Sequence, residues 1–213
     1  MKIDIIIPFH IVDYETDEMT QKCLNSFRKF CSPEDRFILI DDSSPYNHGV
    51  VSTHRNKKRQ GNARVWNQGL SYSTADYILI SDNDIEATDW RESMLKKAYD
   101  PKTGVVFTHL LVGDKIKKVH VDGCFFMVRR DVFDAVGTFD EGFGSYFEDT
   151  DFFKRVMNKG YKLRMASDVL TIHKSKGTMN KIMSAEEQKE LVDKNQKTYE
   201  SRYGANYPYI SWL

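Results

Sequence analysis

The sequence contains few cysteines, and their positions follow no known pattern. Only three of the 213 residues are cysteine, Cys23, Cys31 and Cys124, and none of them stands in CxxC spacing. An odd number without that spacing indicates neither a disulfide framework nor a zinc site. We therefore expect free thiols that pack in the interior.

An excess of charge of one sign is also missing. Lysine and arginine together number 31, and aspartate and glutamate together number 31. A protein that binds nucleic acid through a broad basic surface needs a positive excess. We therefore expect no nucleic-acid partner and a ligand that is recognised locally.

Long apolar runs, internal repeats and low-complexity stretches are absent as well. The N-terminal IDIIIPFH carries Asp4 and leads directly into polar sequence, and no segment approaches the roughly 20 apolar residues of a membrane span. We expect a cytoplasmic chain without a membrane span, folded as one domain over residues 1–213. The apolar ending YPYISWL favours a link to further domains in a longer protein.

The first half of the chain alternates short apolar runs with helical patterns. Strands are predicted at 2–8, 36–40 and 77–80, and helices at 19–30 and 62–73. Parallel strands need crossover connections, and these are usually helical. The alternation therefore predicts an α/β fold with a mostly parallel, mixed central sheet and helices on both faces.

The second half has a more mixed pattern of elements. A helix is predicted at 89–99, with Thr88 or Asp89 as its cap, and a charged helical tail at 184–202. Between them the sequence predicts strands at 104–113 and 121–130, a helix at 148–160, and one or two short strands within 161–173.

Side chains that could contact a ligand, most of them polar, follow the three strands of the first half. They are Phe9 and His10 after the first strand, Asp41 and Asp42 after the second, and Asp82, Asn83 and Asp84 after the third. A single Asp at such a point usually belongs to a turn or a helix cap. Two acidic clusters at one sheet edge repel each other unless a cation lies between them. Oxygen ligands suit Mg²⁺ or Mn²⁺, which often also binds phosphate, so we expect a metal-bound diphosphate.

The acidic pair after the second strand also indicates which nucleotide binds. A carboxylate only accepts hydrogen bonds, so Asp41 or Asp42 can accept the N3 proton of uracil. Cytosine presents an acceptor at that position and is refused. A uridine nucleotide is the natural prediction.

Taken together, these motifs resemble family-2 glycosyltransferases with the GT-A fold. The motifs are DDSS, GNARVWNQG, SDND and VDGCFFMVRRDVFDAVGTFDEGFGSYFEDTDFFKRVMNKG, and the resemblance covers residues 3 to about 173. It implies a nucleotide-binding half at 1–100, a sugar and acceptor half at 101–183, and a C-terminal helical tail at 184–213. The implied partners are a UDP-sugar donor and a glycan or other hydroxyl acceptor.

The resemblance also implies roles for the residues at the strand ends. Asp41 and Asp42 contact uracil and ribose, with Asp42 favoured for the base and Phe9 closing over it. Asp84 is the expected direct ligand of Mn²⁺ or Mg²⁺, and Asp82 reaches the metal through water or contacts the ribose. His173 in VLTIHKS is a third metal ligand, with His10 as its competitor.

Further donor contacts are implied by the motifs between and after these strands. Asn83 of the DND motif and Asn67 of GNARVWNQG are assigned to the donor site. The family usually has Arg directly before this Asn, where this chain has Trp66, so Arg64 either supplies the missing charge or points into water. Gly123 brings backbone close to the donor sugar, and Asp122 beside it is a candidate for sugar hydroxyl contacts.

The motif EDTDF decides the expected mechanism. Ser145 stands three residues before Glu148, which is the spacing of a capping box, so a structural role is expected for Glu148. The resemblance implies that Asp149 is the general base of an inverting hexosyl transfer to an acceptor hydroxyl. For Phe143 core packing is expected, although Phe143 or Tyr146 could form an acceptor platform.

Other functions fit these motifs less well. A sugar-nucleotide pyrophosphorylase would need a Gly-rich loop after the first strand, and IPFHIVDYETD contains no glycine. A non-catalytic sugar-nucleotide-binding domain would not need both DND and ED. A retaining transferase fits Asp149 as a base less well than an inverting enzyme does. The chain also lacks the P-loop pattern of an NTPase.

Overall fold

The computed structural model describes residues 1–117, 121, 123–174 and 178–209. The two expectations for Asp122 and for the C-terminal YPYISWL therefore lie wholly or partly outside the described residues. The strands are β1 (Ile3–Phe9), β2 (Arg36–Asp41), β3 (His54–Arg55), β4 (Tyr77–Ser81), β5 (Ile85–Glu86), β6 (Thr103–Val112), β7 (Lys115–Lys117), β8 (Phe125–Arg129) and β9 (Lys162–His173). The helices are α1 (Tyr14–Arg28), α2 (Asn62–Tyr72), α3 (Arg91–Ala98), α4 (Arg130–Val136), α5 (Glu148–Asn158), α6 (Met179–Ile182) and α7 (Ala185–Tyr203).

Strand β1 lies inside the sheet and is buried along its whole length. Alternate side chains of a strand point to opposite faces, so Ile5 and Ile7 join the core beneath α1 and α3. Ile6 joins the core beneath α2 and α5. Gly69 of α2 lies so close to β1 that a Cβ there would meet Ile6 at 2.3 Å. The continuous apolar run is thus explained by helices on both faces.

The strands of the described residues form one sheet in the order β3-β2-β1-β4-β8-β6-β9-β5, with β7 on β6. Strands β1, β2, β3 and β4 pair in parallel. Strand β8 is antiparallel to both of its neighbours, β4 and β6. The expected parallel pairing therefore holds in the first half, and the sheet becomes mixed in the second half as predicted.

Two predicted helix starts were wrong. Helix α1 begins five residues before the predicted position, because Asp13 and Thr16 form a capping box ahead of the first apolar residue. Helix α3 has Trp90 as its N-cap and no side-chain cap, whereas Thr88 or Asp89 was predicted. The Thr88 hydroxyl instead donates to the Leu170 carbonyl at 2.8 Å.

The predicted C-terminal helix exists and is part of the core. It begins at a capping box of Ser184 with Glu187 and continues to Tyr203. Asn195 and Tyr199 on this helix are buried. The short elements β3, β5, β7, α4 and α6 were not predicted, because two to seven residues carry too little periodicity. No helix in the described ranges is both long enough and apolar enough to cross a bilayer.

Candidate active site

A cleft opens at the carboxyl ends of the parallel strands β1, β2 and β4. Its volume is about 510 Å³. Phe9 at the end of β1, Asp42 after β2, and Asp82 and Asp84 after β4 line it. The start of α5, including Asp149, and residues of α6 and α7 complete its walls. Strand-end acids and the predicted base therefore meet in one cleft.

Asp82, Asp84 and His173 form a compact group of ligand atoms. The ligand atoms of the three side chains all lie within 4.8 Å of one another. Because β5 pairs with β9 and sets Ile85 opposite His173, the imidazole reaches Asp84, with 3.3 Å between Nε2 and Oδ1. Two carboxylates this close repel each other unless a cation lies between them. Two carboxylates and one imidazole fit a divalent metal ion.

Asn83 lies between the two acidic ligands and lines the cleft. Its side-chain amide donates to Thr20 Oγ1 of α1 at 2.8 Å, and the residue is buried. The side chain thus anchors the turn that carries Asp82 and Asp84. The predicted donor contact of Asn83 stays a prediction.

The acidic pair after β2 is divided between two environments. Asp41 does not line the cleft: its carboxylate accepts from Ser44 N at 2.8 Å and lies 3.3 Å from both His48 Nε2 and Arg55 Nε. Asp42 does line the cleft. The Asp41 carboxylate contacts neighbouring protein groups, and of the two only Asp42 can contact a ligand in the cleft.

Three donors hold the Asp42 carboxylate in position. Asn56 Nδ2 donates at 3.0 Å, Gln60 N at 2.9 and 3.0 Å to the two oxygens, and Gly61 N at 3.3 Å. These donors make four contacts, two on each oxygen, and a carboxylate has about four acceptor sites, so a ligand donor would share a site with one of them. Asp42 is therefore a rigid acceptor at the edge of the cleft.

Two further strand-end residues line the same part of the cleft. Phe9 is buried and packs edge-on against His48, with ring centroids 5.4 Å apart. His10 Nδ1 lies 2.8 Å from the carbonyl oxygen of Asp42. Burial lowers the pKa of His10, so its imidazole is neutral at neutral pH. His10 is absent from the compact ligand group, whereas its competitor His173 belongs to it.

Two predicted donor contacts find other partners. Arg64 lies outside the cleft and pairs with Glu141, with 2.8 Å between Nε and Oε2. Asn67 also lies outside it: its amide nitrogen donates to the Phe139 carbonyl at 2.9 Å, and its oxygen accepts from Phe139 N at 3.0 Å. These contacts fasten α2 to the turn before α5. The arrangement gives no support to a donor contact by either side chain.

The loop before α5 has an unusual backbone conformation. Tyr146 and Phe147 both adopt left-handed φ angles, of 67° and 72°. Non-glycine residues rarely occupy this region, and a pair of them needs support from the surrounding structure. Asn195 of α7 supplies it, because its amide nitrogen donates to the carbonyls of Phe143, Ser145 and Tyr146 at 2.8 to 2.9 Å.

Asp149 lies in the first turn of α5 and faces the cleft. Its Oδ1 accepts from the backbone nitrogen of Thr150 at 2.6 Å and from the Thr150 hydroxyl at 3.1 Å. A Cβ on Gly123 would come within 2.6 Å of Asp149 Cβ and Oδ2. The position of Asp149 therefore requires a glycine at 123, and the predicted approach of the Gly123 backbone to the donor sugar stays a prediction.

The predicted capping box of Ser145 with Glu148 was wrong. The N-cap of α5 is Phe147, which makes no side-chain cap. The Ser145 hydroxyl instead accepts from Asn62 N at the start of α2. Glu148 lines the cleft and is 2 % exposed, which the sequence prediction missed. Helical spacing could have revealed it, because Glu148 lies four residues before the core residue Phe152.

Comparison with known proteins agrees with this site. A family model described as Glycosyl transferase family 2 matches residues 4–122, more than half of the chain. The match includes Asp42 and the DND motif but ends before Gly123, Asp149 and His173. No curated protein sequence matches the chain.

Solved structures establish the fold. The mannosyltransferase PcManGT from Pyrobaculum calidifontis, in complex with GDP-Man and Mn²⁺, aligns with a TM-score of 0.66 and 15% identity. The alignment covers 92% of this chain and 64% of that one. TarS from S. aureus, residues 1–349, aligns with a TM-score of 0.64 and 14% identity over 97% of this chain and 74% of that chain. The expected α/β GT-A fold is confirmed.

Proposed function

The chain belongs to glycosyl transferase family 2, and on that premise we propose that it transfers a hexose or deoxyhexose from a UDP-sugar to an acceptor hydroxyl group. One observation carries the proposal. The ligand group of Asp82, Asp84 and His173 and the carboxylate of Asp149 line the same cleft. A sugar bound between them would have its diphosphate on one side and an acceptor hydroxyl on the other.

The metal site is proposed to hold the donor diphosphate. Asp84 and His173 are the proposed direct ligands, and Asp82 completes the group directly or through water. When bound, the divalent ion supplies positive charge that stabilises the leaving diphosphate. Mg²⁺ prefers oxygen ligands, so the imidazole nitrogen favours Mn²⁺.

Asp149 is the proposed general base. Its carboxylate removes the proton from the acceptor hydroxyl while that oxygen forms a bond to the anomeric carbon. The bond between the anomeric carbon and the diphosphate breaks on the opposite side, and the nucleotide leaves with the electron pair. This displacement inverts the anomeric configuration, and a positioned base typically contributes a factor of about 10² to 10⁴ in rate.

Two nucleobases are compatible with Asp42 in the nucleotide part of the donor. Asp42 is a fixed acceptor that lines the cleft together with Phe9, which supports a contact with the uracil N3 proton. Guanine also presents N–H donors on its pairing edge, and the mannosyltransferase with the same fold was solved with GDP-Man. A GDP-sugar is therefore the second candidate donor, whereas cytosine presents an acceptor at N3, where uracil presents its proton.

A panel of nucleotide sugars tests the donor. The protein is incubated with Mn²⁺ and UDP-, GDP-, CDP- and dTDP-sugars, and nucleotide release is followed together with thermal stabilisation. We expect UDP-sugars to give the largest response and Asp42→Asn to lose it. A clear preference for GDP-sugars would show that the donor nucleotide is guanosine and not uridine. A preference for CDP-sugars would contradict the role of Asp42.

Two substitutions separate the metal site from the base. We expect Asp84→Asn to lose metal-dependent nucleotide binding, because it removes a charged ligand. Asp149→Asn should keep that binding and lose transfer by a factor of about 10² or more. Asp134→Asn, an exposed acid on α4, is the matched control. A near-normal rate of transfer by Asp149→Asn would exclude Asp149 as the general base.

A further inference from the structure

Glu148 has a buried oxygen atom that the fold leaves without a hydrogen bond. The residue is 2 % exposed and lines the cleft beside Asp149. Its Oε2 has no hydrogen-bond partner in the part of the chain that the structure describes. A buried polar atom without a partner costs free energy, and such atoms are rare in folded proteins. The atom therefore calls for an explanation.

The usual structural explanations do not apply. Phe147 is the N-cap of α5, and no side chain caps this helix. Among the ion pairs of the described residues, none involves Glu148. Its carboxyl group interacts with the Glu148 backbone N–H and with the Asn62 side chain, and neither contact uses Oε2. Oε2 is thus a buried oxygen without a partner, in a residue that lines the cleft.

We propose that Glu148 Oε2 hydrogen-bonds a hydroxyl group of a sugar that is bound in the cleft, and that Glu148 thereby determines which sugar is accepted. This inference rests on the proposed function. A sugar hydroxyl both donates and accepts, so it satisfies the unused oxygen. Because Glu148 directly precedes the proposed base, the sugar it contacts is the one at the reaction centre.

The protonation state of Glu148 fits this role. Burial, and after it the charge of the neighbouring Asp149, raises the pKa of Glu148 well above its ordinary value. A raised pKa favours the protonated carboxyl group, which can donate a hydrogen bond as well as accept one. Asp149 then remains the single charged group of the pair, as a general base requires.

Substitutions distinguish a sugar contact from a purely structural role. Glu148→Gln keeps a neutral, planar group that can donate, so we expect donor binding and kcat/KM within about threefold of the wild type. Glu148→Leu removes both polar atoms, and Glu148→Met serves as a second apolar variant of similar length if the leucine variant does not fold. We expect the apolar variants to lose a factor of about 10² in kcat/KM, because sites built for a hydroxyl discriminate strongly. Their thermal stability should be equal to or above that of the wild type.

Binding measurements show which sugar supplies the hydroxyl. Calorimetry with Mn²⁺ compares the nucleotide diphosphate alone with the intact nucleotide sugar. If the hydroxyl belongs to the donor, Glu148→Leu binds the nucleotide diphosphate with normal affinity, but the attached sugar does not increase that affinity. If it belongs to the acceptor, donor binding is unchanged and the KM for the acceptor rises at least tenfold.

Two results would overturn the inference. One is wild-type donor binding together with wild-type acceptor KM and kcat in the apolar variants. The other is a loss in Glu148→Gln as large as that in Glu148→Leu, which would mean that a charge is needed at this position. Because binding is measured without transfer, a wild-type protein that binds the donor but never transfers it contradicts only the proposed function. A wild-type protein that binds neither a nucleotide sugar nor a sugar acceptor contradicts both.

Discussion

At the scale of single residues, the position of Asp149 depends on the absence of a side chain at Gly123. A Cβ there would lie 2.6 Å from Asp149 Cβ and Oδ2, well inside van der Waals contact. Gly123→Ala must therefore displace the carboxylate. Because a displacement of about 1 Å can cost a factor of about 10² in rate, we expect transfer to fall by that order.

The same substitution should leave the donor side intact. Metal-dependent nucleotide binding, measured by calorimetry, is expected to change little, because Asp82, Asp84 and His173 are not displaced. Gly49→Ala is the matched control, since no atom lies within 4 Å of the added Cβ. Normal transfer by Gly123→Ala would show that the position of Asp149 is not critical.

Asp4 is a residue whose charge supports the fold. Burial raises its pKa, but the hydrogen bonds from Arg36, from the backbone of Thr74 and Ala75 and from Ser73 outweigh burial and lower the pKa from 3.8 to about 2. A carboxyl group with a lowered pKa stabilises the fold above its ordinary pKa, and this contribution is lost as the pH falls from about 4 through 2. The shift corresponds to about 2 kcal/mol.

Asp4→Asn tests this contribution. We expect the free energy of unfolding at pH 7, from urea titration, to fall by about 2 kcal/mol. The difference between the variant and the wild type should shrink as the pH is lowered from 4 to 2. A difference that stays constant over this range would assign the loss to packing instead of charge. Asp134→Asn should behave as the wild type does.

At the scale of elements, α7 supports the loop that carries the candidate base. The Asn195 amide donates to three carbonyls of the loop at 143–147, where Tyr146 and Phe147 have left-handed φ angles. Gln188 of the same helix accepts from the Tyr146 hydroxyl and donates to the Met183 carbonyl behind α6. The helix expected to be a C-terminal tail thus joins two walls of the cleft.

Asn195→Leu is expected to release this loop. The three carbonyls lose their donor, so the start of α5 becomes less well ordered, and kcat should fall at least tenfold. Nucleotide binding with Mn²⁺ should change less than threefold, because the hydrogen bonds of the Asn195 amide go to the loop at 143–147 and not to the DND turn. Lys194→Ala, at an exposed neighbouring position, is the control. A kcat loss no larger than that of the control would contradict a positioning role for Asn195.

The elements themselves were largely readable from the sequence. Strands β1, β2 and β4 and helices α2 and α5 lie within two residues of their predicted bounds, because each carries its own apolar periodicity or turn residues. Helix α1 was predicted too short, since its first turn is polar and is recognisable only by its cap. The short β5 was not predicted, although it is the strand that pairs with β9 next to His173.

At the scale of the whole molecule, the candidate metal site joins parts of the chain that are far apart in sequence. Asp82 and Asp84 follow β4, and His173 ends β9. A metal ion that binds all three stabilises the folded chain by mass action. We expect Mn²⁺ to raise the melting temperature, and EDTA to reverse the rise.

His173→Ala should reduce this Mn²⁺-dependent shift by more than half. Because each variant is compared with its own metal-free form, a general loss of stability does not affect the result. His109→Gln on β6 is the matched control and should keep the full shift. A full shift in His173→Ala would exclude His173 as a ligand and leave a site of carboxylates alone.

Sequence alone determined the alternation of strands and helices, the helices on both faces of the sheet and the acids at the strand ends. These features depend on residues within a few positions of one another, through periodicity, capping and turn chemistry. Tertiary structure decided that Asp42 lines the cleft while Asp41, Arg64 and Asn67 do not. It also decided that His173 joins the ligand group of Asp82 and Asp84, whereas His10 lines the cleft outside that group. It also decided that Glu148 is buried and that Asn195 holds the loop before Asp149. Such contacts join distant segments and depend on how the whole chain packs, which local sequence patterns do not encode.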